Sequence, residues 1–177
     1  MSCHRFAWPI VRFASARDGI AAVEFALLAP VLLLLMMASL GFGYAFFLKL
    51  RVIDATSAAA IYAFQNGSTL DAGNLAAFLA KVNAVVVDVS GLTPAPVVSV
   101  LVNNAPDARA LDGFYCASGK PAAWSSTGTV VRSCGGNVLS AKFITISVSA
   151  SQASLFQLGD ILPATLLTRD VAVVRLP

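Results

Sequence analysis

Residues 25–48 form a run of 24 consecutive residues without a single charged side chain, FALLAPVLLLLMMASLGFGYAFFL. The hydrocarbon core of a bilayer needs about 20 apolar residues in helical form, so this run is long enough to cross it. A helix in the core of a soluble protein would carry a polar stripe on one face, and the run has none. The sequence therefore predicts a transmembrane helix, which limits the chain to membrane-anchored architectures.

The charges on either side of the run predict its orientation. Three arginines lie within residues 5–17, whereas Lys49 and Arg51 follow the run. The positive-inside rule places the more basic side in the cytoplasm. A cleaved secretory signal would have its small-residue cleavage site after the apolar run, but the Ala-Ser-Ala of residues 14–16 comes before it. We therefore expect a cytoplasmic N-terminus and a domain outside the cytoplasm from about residue 50.

The composition excludes several kinds of function. Only 12% of the residues are charged, against about 25% in an average soluble domain, and the net charge is +3. So few charges cannot neutralise a nucleic acid, and no nucleic-acid partner is expected. His4 is the only histidine and Glu24 the only glutamate, so no Ser-His-Asp triad or histidine-rich metal site can form beyond residue 24. The other acids are scattered aspartates, and we expect a protein that is not an enzyme and has no catalytic residue, metal or cofactor.

The junction before the apolar run carries the most specific motif of the chain. Residues 17–25 read RDGIAAVEF: a basic leader ends at Gly19, four small or apolar residues follow, and Glu24 and Phe25 open the run. This order resembles a type IV prepilin processing site. In that class a prepilin peptidase cuts after the glycine on the cytoplasmic face, and the glutamate becomes the fifth residue of the mature chain. The resemblance implies cleavage between Gly19 and Ile20.

The wider string from Gly19 to Pro30 is similar to the TadE-like family, pilin-like (pseudopilin) proteins of the tight-adherence pilus system, also called the Flp or type IVb pilus. The resemblance covers residues 17–62 and a C-terminal strand near 171–175, and residues 68–142 match no named pattern. It implies a minor structural subunit required for assembly of an adhesive pilus.

The resemblance also implies a location and partners. The protein would cross the bacterial inner membrane once, with its N-terminus in the cytoplasm and its C-terminal domain in the periplasm, and entry into the pilus itself stays open. Its partners would be the prepilin peptidase, other pilin-like subunits and the pilus assembly platform. The alternative is an uncleaved bitopic scaffold of the inner membrane that docks pilus or secretion machinery. The mass of the mature protein separates the two.

Glu24 and Pro30 are the two unusual residues of the predicted transmembrane helix. A carboxylate deep in lipid costs roughly 2–3 kcal/mol or more, so Glu24 is either a residue at the headgroup level or a partner for a positive charge. In a filament, Glu24 beside Phe25 would pair with the amino group that cleavage exposes on Ile20 of a neighbouring subunit. Pro30 removes one helical hydrogen bond, and it is either an ordinary membrane-helix proline or a point where the helix kinks.

The residue pattern beyond the membrane predicts an α+β fold, with a long helix packed on a small, mainly antiparallel sheet. We expect one helix from about Ile20 to Asn66, whose second half buries an apolar face at every third or fourth residue. A second helix is expected to start at a Ser68 or Thr69 cap and to end at residues 85–87. Strands are expected at 97–102, 129–132, 143–149 and 171–176, with a turn at 103–106. The predicted inward face of the long helix comprises Leu50, Ile53, Ser57, Ala60, Ile61 and Phe64.

The domain organisation that follows has three parts. Residues 1–19 are the basic leader, 20–48 the transmembrane helix and 49–177 the extracytoplasmic domain. Cys3 lies in the leader, and Cys116 and Cys134 lie 18 residues apart on the external side. Two cysteines in an oxidising compartment are expected to form a disulfide, which would contribute about 3 kcal/mol on the chain-entropy estimate. Free thiols are the alternative, and a metal site lacks the ligands it would need.

Overall fold

The computed structural model describes residues 18–105, 111, 113–119, 123–156 and 164–176. The helices are α1 (Asp18–Asn66) and α2 (Leu75–Ser90), with a short 3₁₀ turn at Gly67–Thr69 between them. The strands are β1 (Val97–Val102), β2 (Phe114–Ser118), β3 (Ala123–Gly128), β4 (Phe143–Ala153) and β5 (Thr165–Arg175). The architecture is α+β, as the sequence predicts. Internal contacts divide the chain into two compact units, Met1–Leu40 and Gly41–Pro177.

In the first unit, α1 is an apolar helix that continues through Pro30. A window of 18 residues in the long helix has a mean hydropathy of 2.5 and is not buried against other parts of the protein. The helix therefore has the length and composition to cross a membrane. Most of the predicted leader lies outside the described residues, which begin at residue 18.

In the second unit, α1 buries a different face from the predicted one. Val52, Ala55, Ala59 and Ala63 are fully buried, whereas Leu50, Ile61 and Phe64 of the predicted inward face are exposed. Both faces have helical spacing, so periodicity alone could not choose between them. The alanines form the flatter surface, which lets the rest of the unit pack closely against the helix backbone. The larger side chains are left at the surface.

The second helix begins later and ends later than predicted. Neither Ser68 nor Thr69 caps it, because both lie in the 3₁₀ turn, and the helix starts only after Asn74. The prediction that residues 85–87 end the helix is also wrong. Val86 is fully buried, and burial of such a side chain outweighs the small helix penalty of a β-branched residue. The helix ends at Gly91, whose φ of 58° gives the left-handed C-cap that glycine adopts readily.

Three antiparallel strands in the order β1-β4-β5 form the main sheet. The central strand β4 alternates strictly, and Ile144, Ile146 and Val148 are fully buried on the face that packs into the core with α1 and α2. The predicted strand at 97–102 is confirmed. The strands predicted at 143–149 and 171–176 are longer than predicted, because β4 and β5 remain paired without interruption from Phe143↔Arg175 to Ala153↔Thr165.

Strands β2 and β3 form a separate antiparallel hairpin in a region where the sequence analysis predicts no strand. The short strand predicted at 129–132 is wrong, and those residues follow the hairpin without joining a strand. The hairpin contacts the start of β4 and the residues just before it. Tyr115 and Ala141 exchange backbone hydrogen bonds of 2.9 and 3.0 Å, and the rings of Trp124 and Phe143 meet edge to face at 5.2 Å between centroids. Since these contacts join distant parts of the chain, local pattern could not predict the hairpin.

Candidate functional site

The start of α1 contains the residues that the sequence singles out for processing and assembly. The described part of α1 begins at Asp18 and includes Gly19. Ile20 and Phe25 are 62% and 68% exposed, and Glu24 is exposed as well. Ile20 and Glu24 are four residues apart and therefore lie on the same face of the helix, one turn apart.

Apart from Glu24, the stretch from Ile20 to Leu40 carries no charge. Its one hydroxyl, that of Ser39, donates a hydrogen bond of 2.8 Å to the carbonyl of Leu35 and is satisfied within the helix. A helix in lipid must satisfy its polar groups internally, and this stretch does so for its side chains except at Glu24. The carboxylate of Glu24 is therefore the one side-chain group in this stretch that requires water, a headgroup or a cationic partner.

Charged side chains return at Lys49, and there α1 is joined to strand β5. The ammonium nitrogen of Lys49 lies 3.9 Å from a carboxylate oxygen of Asp170 and donates a hydrogen bond to the carbonyl of Arg169. The guanidinium of Arg51 lies over the ring of Phe47, 5.1 Å from its centroid. The ion pair is partly exposed and contributes about 1 kcal/mol or less, so its main effect is to fix the position of β5 along the helix. Local sequence pattern cannot predict this contact, since Lys49 and Asp170 lie 121 residues apart.

A second candidate surface lies between the exposed side of α1 and the edge strand β5. Ile61 and Phe64 on the helix are 59% and 54% exposed, and Val171 and Val173 on the strand are 47% and 50% exposed. A shallow groove of about 450 Å³ lies between the two elements. It is lined by Ala60, Ile61, Phe64, Gln65, Val173, Val174 and Arg175. The helical spacing predicts Ile61 and Phe64 on the inward face of α1. The fold shows instead that both side chains are exposed and open to contact.

Cys116 and Cys134 lie at disulfide distance, as the sequence predicts. The Cα atoms of Cys116 and Cys134 are 5.5 Å apart, and the bond joins β2 to the segment that precedes β4. The amide of Cys134 donates a hydrogen bond of 2.8 Å to the carbonyl of Val138, which closes a tight turn beside the bond. The disulfide is thus a structural link between the hairpin and the main sheet.

Within the described ranges, no group of three histidine, cysteine, aspartate or glutamate side chains is arranged to hold a metal ion. Asp71 illustrates the role of the scattered acids, because its carboxylate accepts backbone hydrogen bonds of 2.8 Å from both Gly73 and Asn74. Asp107 and Asp112, which the sequence places in one loop, lie outside the described residues.

Residues 19–60 match the model of the family described as TadE-like protein. The matched segment begins at Gly19, contains Glu24 and Pro30, and ends within α1. No curated protein and no solved structure shows significant similarity to the chain. The resemblance drawn from the residues is therefore confirmed for this N-terminal segment.

Proposed function

We propose that this chain, TadE-like over residues 19–60, is a minor pilin-like structural subunit required to assemble a tight-adherence type IV pilus. The observation that carries the proposal is the first part of α1, where Glu24 follows Gly19 by five residues and is the one charged side chain in residues 19–48. The role is mechanical and does not involve catalysis. Such a helix serves first as a membrane anchor and then as a contact surface between subunits.

In this proposal α1 crosses the inner membrane with the leader in the cytoplasm and residues 49–177 in the periplasm. The prepilin peptidase cleaves between Gly19 and Ile20.

Extraction from the membrane requires that neighbouring subunits cover the apolar surface of α1. A helix that left the lipid uncovered would expose this surface to water, at a free-energy cost of about 25 cal/mol per Å² of apolar surface. Glu24 would pair with the Ile20 amine of a neighbour in that state. The exposed Ile61 and Phe64 in the second unit provide a contact surface on the part of the protein that never enters the bilayer.

Co-expression with an active prepilin peptidase tests the processing step. The intact mass should fall by that of residues 1–19, and the new N-terminus should be Ile20. Gly19→Val should block the shift, because a β-branched residue at the cleavage position does not fit where only a small one is accepted. Gly41→Ala, a glycine substitution in the same helix but away from the site, should leave cleavage intact.

A mature protein that keeps its leader in the presence of active peptidase would contradict the processed subunit. A deletion strain that lacks this protein is then complemented with the uncleaved form. If the deletion strain forms no pili and the uncleaved form restores them, the bitopic scaffold is the correct description. The same strain therefore decides between the two functions.

A further inference from the structure

Strand β5 is an edge of the main sheet, and its alternate residues direct their backbone groups away from β4. At one end of the β4–β5 pairing the amide of Leu176 donates a hydrogen bond of 2.9 Å to the carbonyl of Lys142. At the other end the amide of Ser154 donates one of 3.0 Å to the carbonyl of Ala164, and the register between the two ends is continuous. Bonded and non-bonded pairs alternate along antiparallel strands. The even-numbered residues of β5 therefore bond to β4, and the odd-numbered residues face the free edge.

Lys49 covers the middle of this free edge. Its ammonium group donates a hydrogen bond to the carbonyl of Arg169, an odd-numbered residue. Within the described ranges, no other hydrogen bond reaches the backbone at this edge. Val171, Val173 and Arg175 thus present N–H and C=O groups that no described residue pairs, over about 13 Å at about 3.3 Å per residue. Such an open edge is a template for pairing with another extended chain.

An apolar groove lies beside this open part of the edge. It holds about 450 Å³, and its lining includes Ile61 and Phe64 of α1 and Val174 of β5. Val174 packs against the core, so the even-numbered side chains of β5 face α1. Residues directly opposite each other in paired strands have their side chains on the same face. An added strand would therefore direct every second side chain toward the groove, and those side chains must be apolar.

The charges beside the edge favour an acidic partner. The side chains of Arg169 and Arg175 are exposed, and no described carboxylate pairs with either of them. Lys49 is paired with Asp170. A second copy of this chain would bring further cations, because with the two β5 strands antiparallel about Val173 each Arg175 would lie diagonal to Arg169 of the other copy. Long side chains reach each other at that spacing, so the like charges would repel.

We propose that the edge of β5 from Val171 to Arg175 binds an extended, acidic segment of another pilin-like subunit as an added antiparallel strand. Main-chain hydrogen bonds give such a complex its affinity, and the groove beside Ile61 and Phe64 gives it specificity for apolar side chains at alternate positions. The inference rests on the proposed function only for the origin of the segment in another subunit, because the binding surface lies wholly within the second unit.

A labelled peptide and the full-length protein in detergent micelles test strand addition. The probe is fluorescein-labelled Glu-Val-Thr-Val-Thr-Val-Glu, and its binding is followed by fluorescence anisotropy. In the antiparallel register its two glutamates lie opposite Arg175 and Arg169. Its threonines lie opposite Val173 and Val171, and its valines then face the groove. A probe with lysine in place of both glutamates is the charge control.

Two proline variants separate the edge beside the groove from the rest of β5. Val173→Pro removes an N–H that faces the free edge and does not bond to β4, so the sheet should persist. Leu167→Pro is the matched control, because it also removes an N–H from the free edge but lies on the other side of Lys49, away from the groove. We expect the probe to bind the wild type and Leu167→Pro with a Kd below about 1 mM, and Val173→Pro at least about tenfold more weakly. Circular dichroism checks that both variants fold.

Methylation of the probe's own amides gives a second measurement that needs no variant of the protein. The amides of the threonines face β5 in the added strand, whereas the amide of the central valine faces away. An N-methyl group on either threonine should therefore abolish binding, and one on the central valine should leave it unchanged.

Equal binding by the wild type and Val173→Pro, or a probe that does not bind the wild type, would overturn the inference. Equal binding of the lysine probe would also overturn it, since the partner would then not need to be acidic. Dimerisation that Val173→Pro abolishes would identify a second copy as the occupant and would overturn it as well. None of these results depends on piliation or on cleavage after Gly19, so failure here is distinct from failure of the proposed function.

Discussion

Glu24 shows how the environment decides the role of a single residue. In the isolated chain its side chain is exposed, one helical turn from Ile20 on the same face. At the headgroup level this costs little, whereas between packed helices an unpaired carboxylate would be strongly unfavourable. The charge of Glu24 is therefore expected to stabilise the assembled state and to have little effect on the monomer.

Glu24→Gln should leave membrane insertion and cleavage after Gly19 unchanged and should lower piliation. The amide has nearly the same size as the carboxylate but no charge to pair with a terminal amine. A deletion strain complemented with the variant is scored for surface pili and for mature protein by immunoblot. Glu24→Asp, which keeps the charge on a shorter side chain, should retain more pili than Glu24→Gln. Normal piliation by Glu24→Gln at a normal protein level would reject the pairing role.

The disulfide is a second feature that depends on single residues. Besides the bond, the hairpin of β2 and β3 is held by the Tyr115–Ala141 bridge and the Trp124–Phe143 contact. Replacing both Cys116 and Cys134 by serine should therefore loosen the hairpin while the main sheet persists. The free energy of unfolding should fall by up to about 3 kcal/mol. Limited proteolysis should show new cleavage within residues 117–133.

Non-reducing peptide mapping of protein from the cell envelope provides the direct check on this bond. A single linked pair of peptides containing Cys116 and Cys134 is expected. Ready alkylation of both thiols without a reductant would show that the bond is not formed in the cell.

At the scale of elements, α1 carries two apolar faces in its second half. The face of small residues, with Ala55, Ala59 and Ala63, is buried against the domain, and the face with Ile61 and Phe64 remains exposed. A helix that needed only to hold its own domain would have polar residues on the second face. The exposed apolar face therefore indicates contact with another protein.

Ile61→Gln together with Phe64→Gln should reduce piliation and co-purification with other pilin-like subunits. Both side chains are largely exposed, so the free energy of unfolding should change by no more than about 0.5 kcal/mol per site. Val130→Gln, at an exposed valine outside this face, should have no effect on assembly. Ala59→Gln on the buried face should instead destabilise the domain itself, as thermal unfolding followed by circular dichroism would show. Full piliation by the double variant would remove this face from the assembly surface.

At the scale of the whole molecule, the second half of α1 serves both as the link to the membrane and as part of the domain core. Val52, Ala55 and Ala59 contribute fully buried side chains to the cluster that α2 and the sheet complete. A fragment of residues 49–177 retains all of them and Lys49, so it should fold and unfold cooperatively. A fragment that begins at residue 67 lacks the helix and should not fold, because one face of the sheet would be open to water. Circular dichroism and thermal melting of the two fragments distinguish these outcomes, and a folded shorter fragment would contradict the core described here.

The sequence alone determined the features that depend on nearby residues. The uncharged run of residues 25–48 predicts a membrane helix because no polar stripe is present, and the string from Gly19 to Glu24 predicts the TadE-like segment. The alternation of residues 143–149 predicts a half-buried strand. Each of these signals is complete within about thirty residues.

Only the tertiary structure decided which surfaces are buried and which strands pair. The long helix is apolar on nearly every side, so its own pattern allowed two faces, and close packing selected the one rich in alanine. The helix α2 extends past residues 85–87 because Val86 fills the core, and the hairpin of β2 and β3 forms because a disulfide and two contacts with β4 hold it. Likewise, Lys49 meets Asp170 across 121 residues, a distance over which the sequence carries no local signal. Burial and long-range pairing depend on the free energy of the whole domain, which no single segment contains.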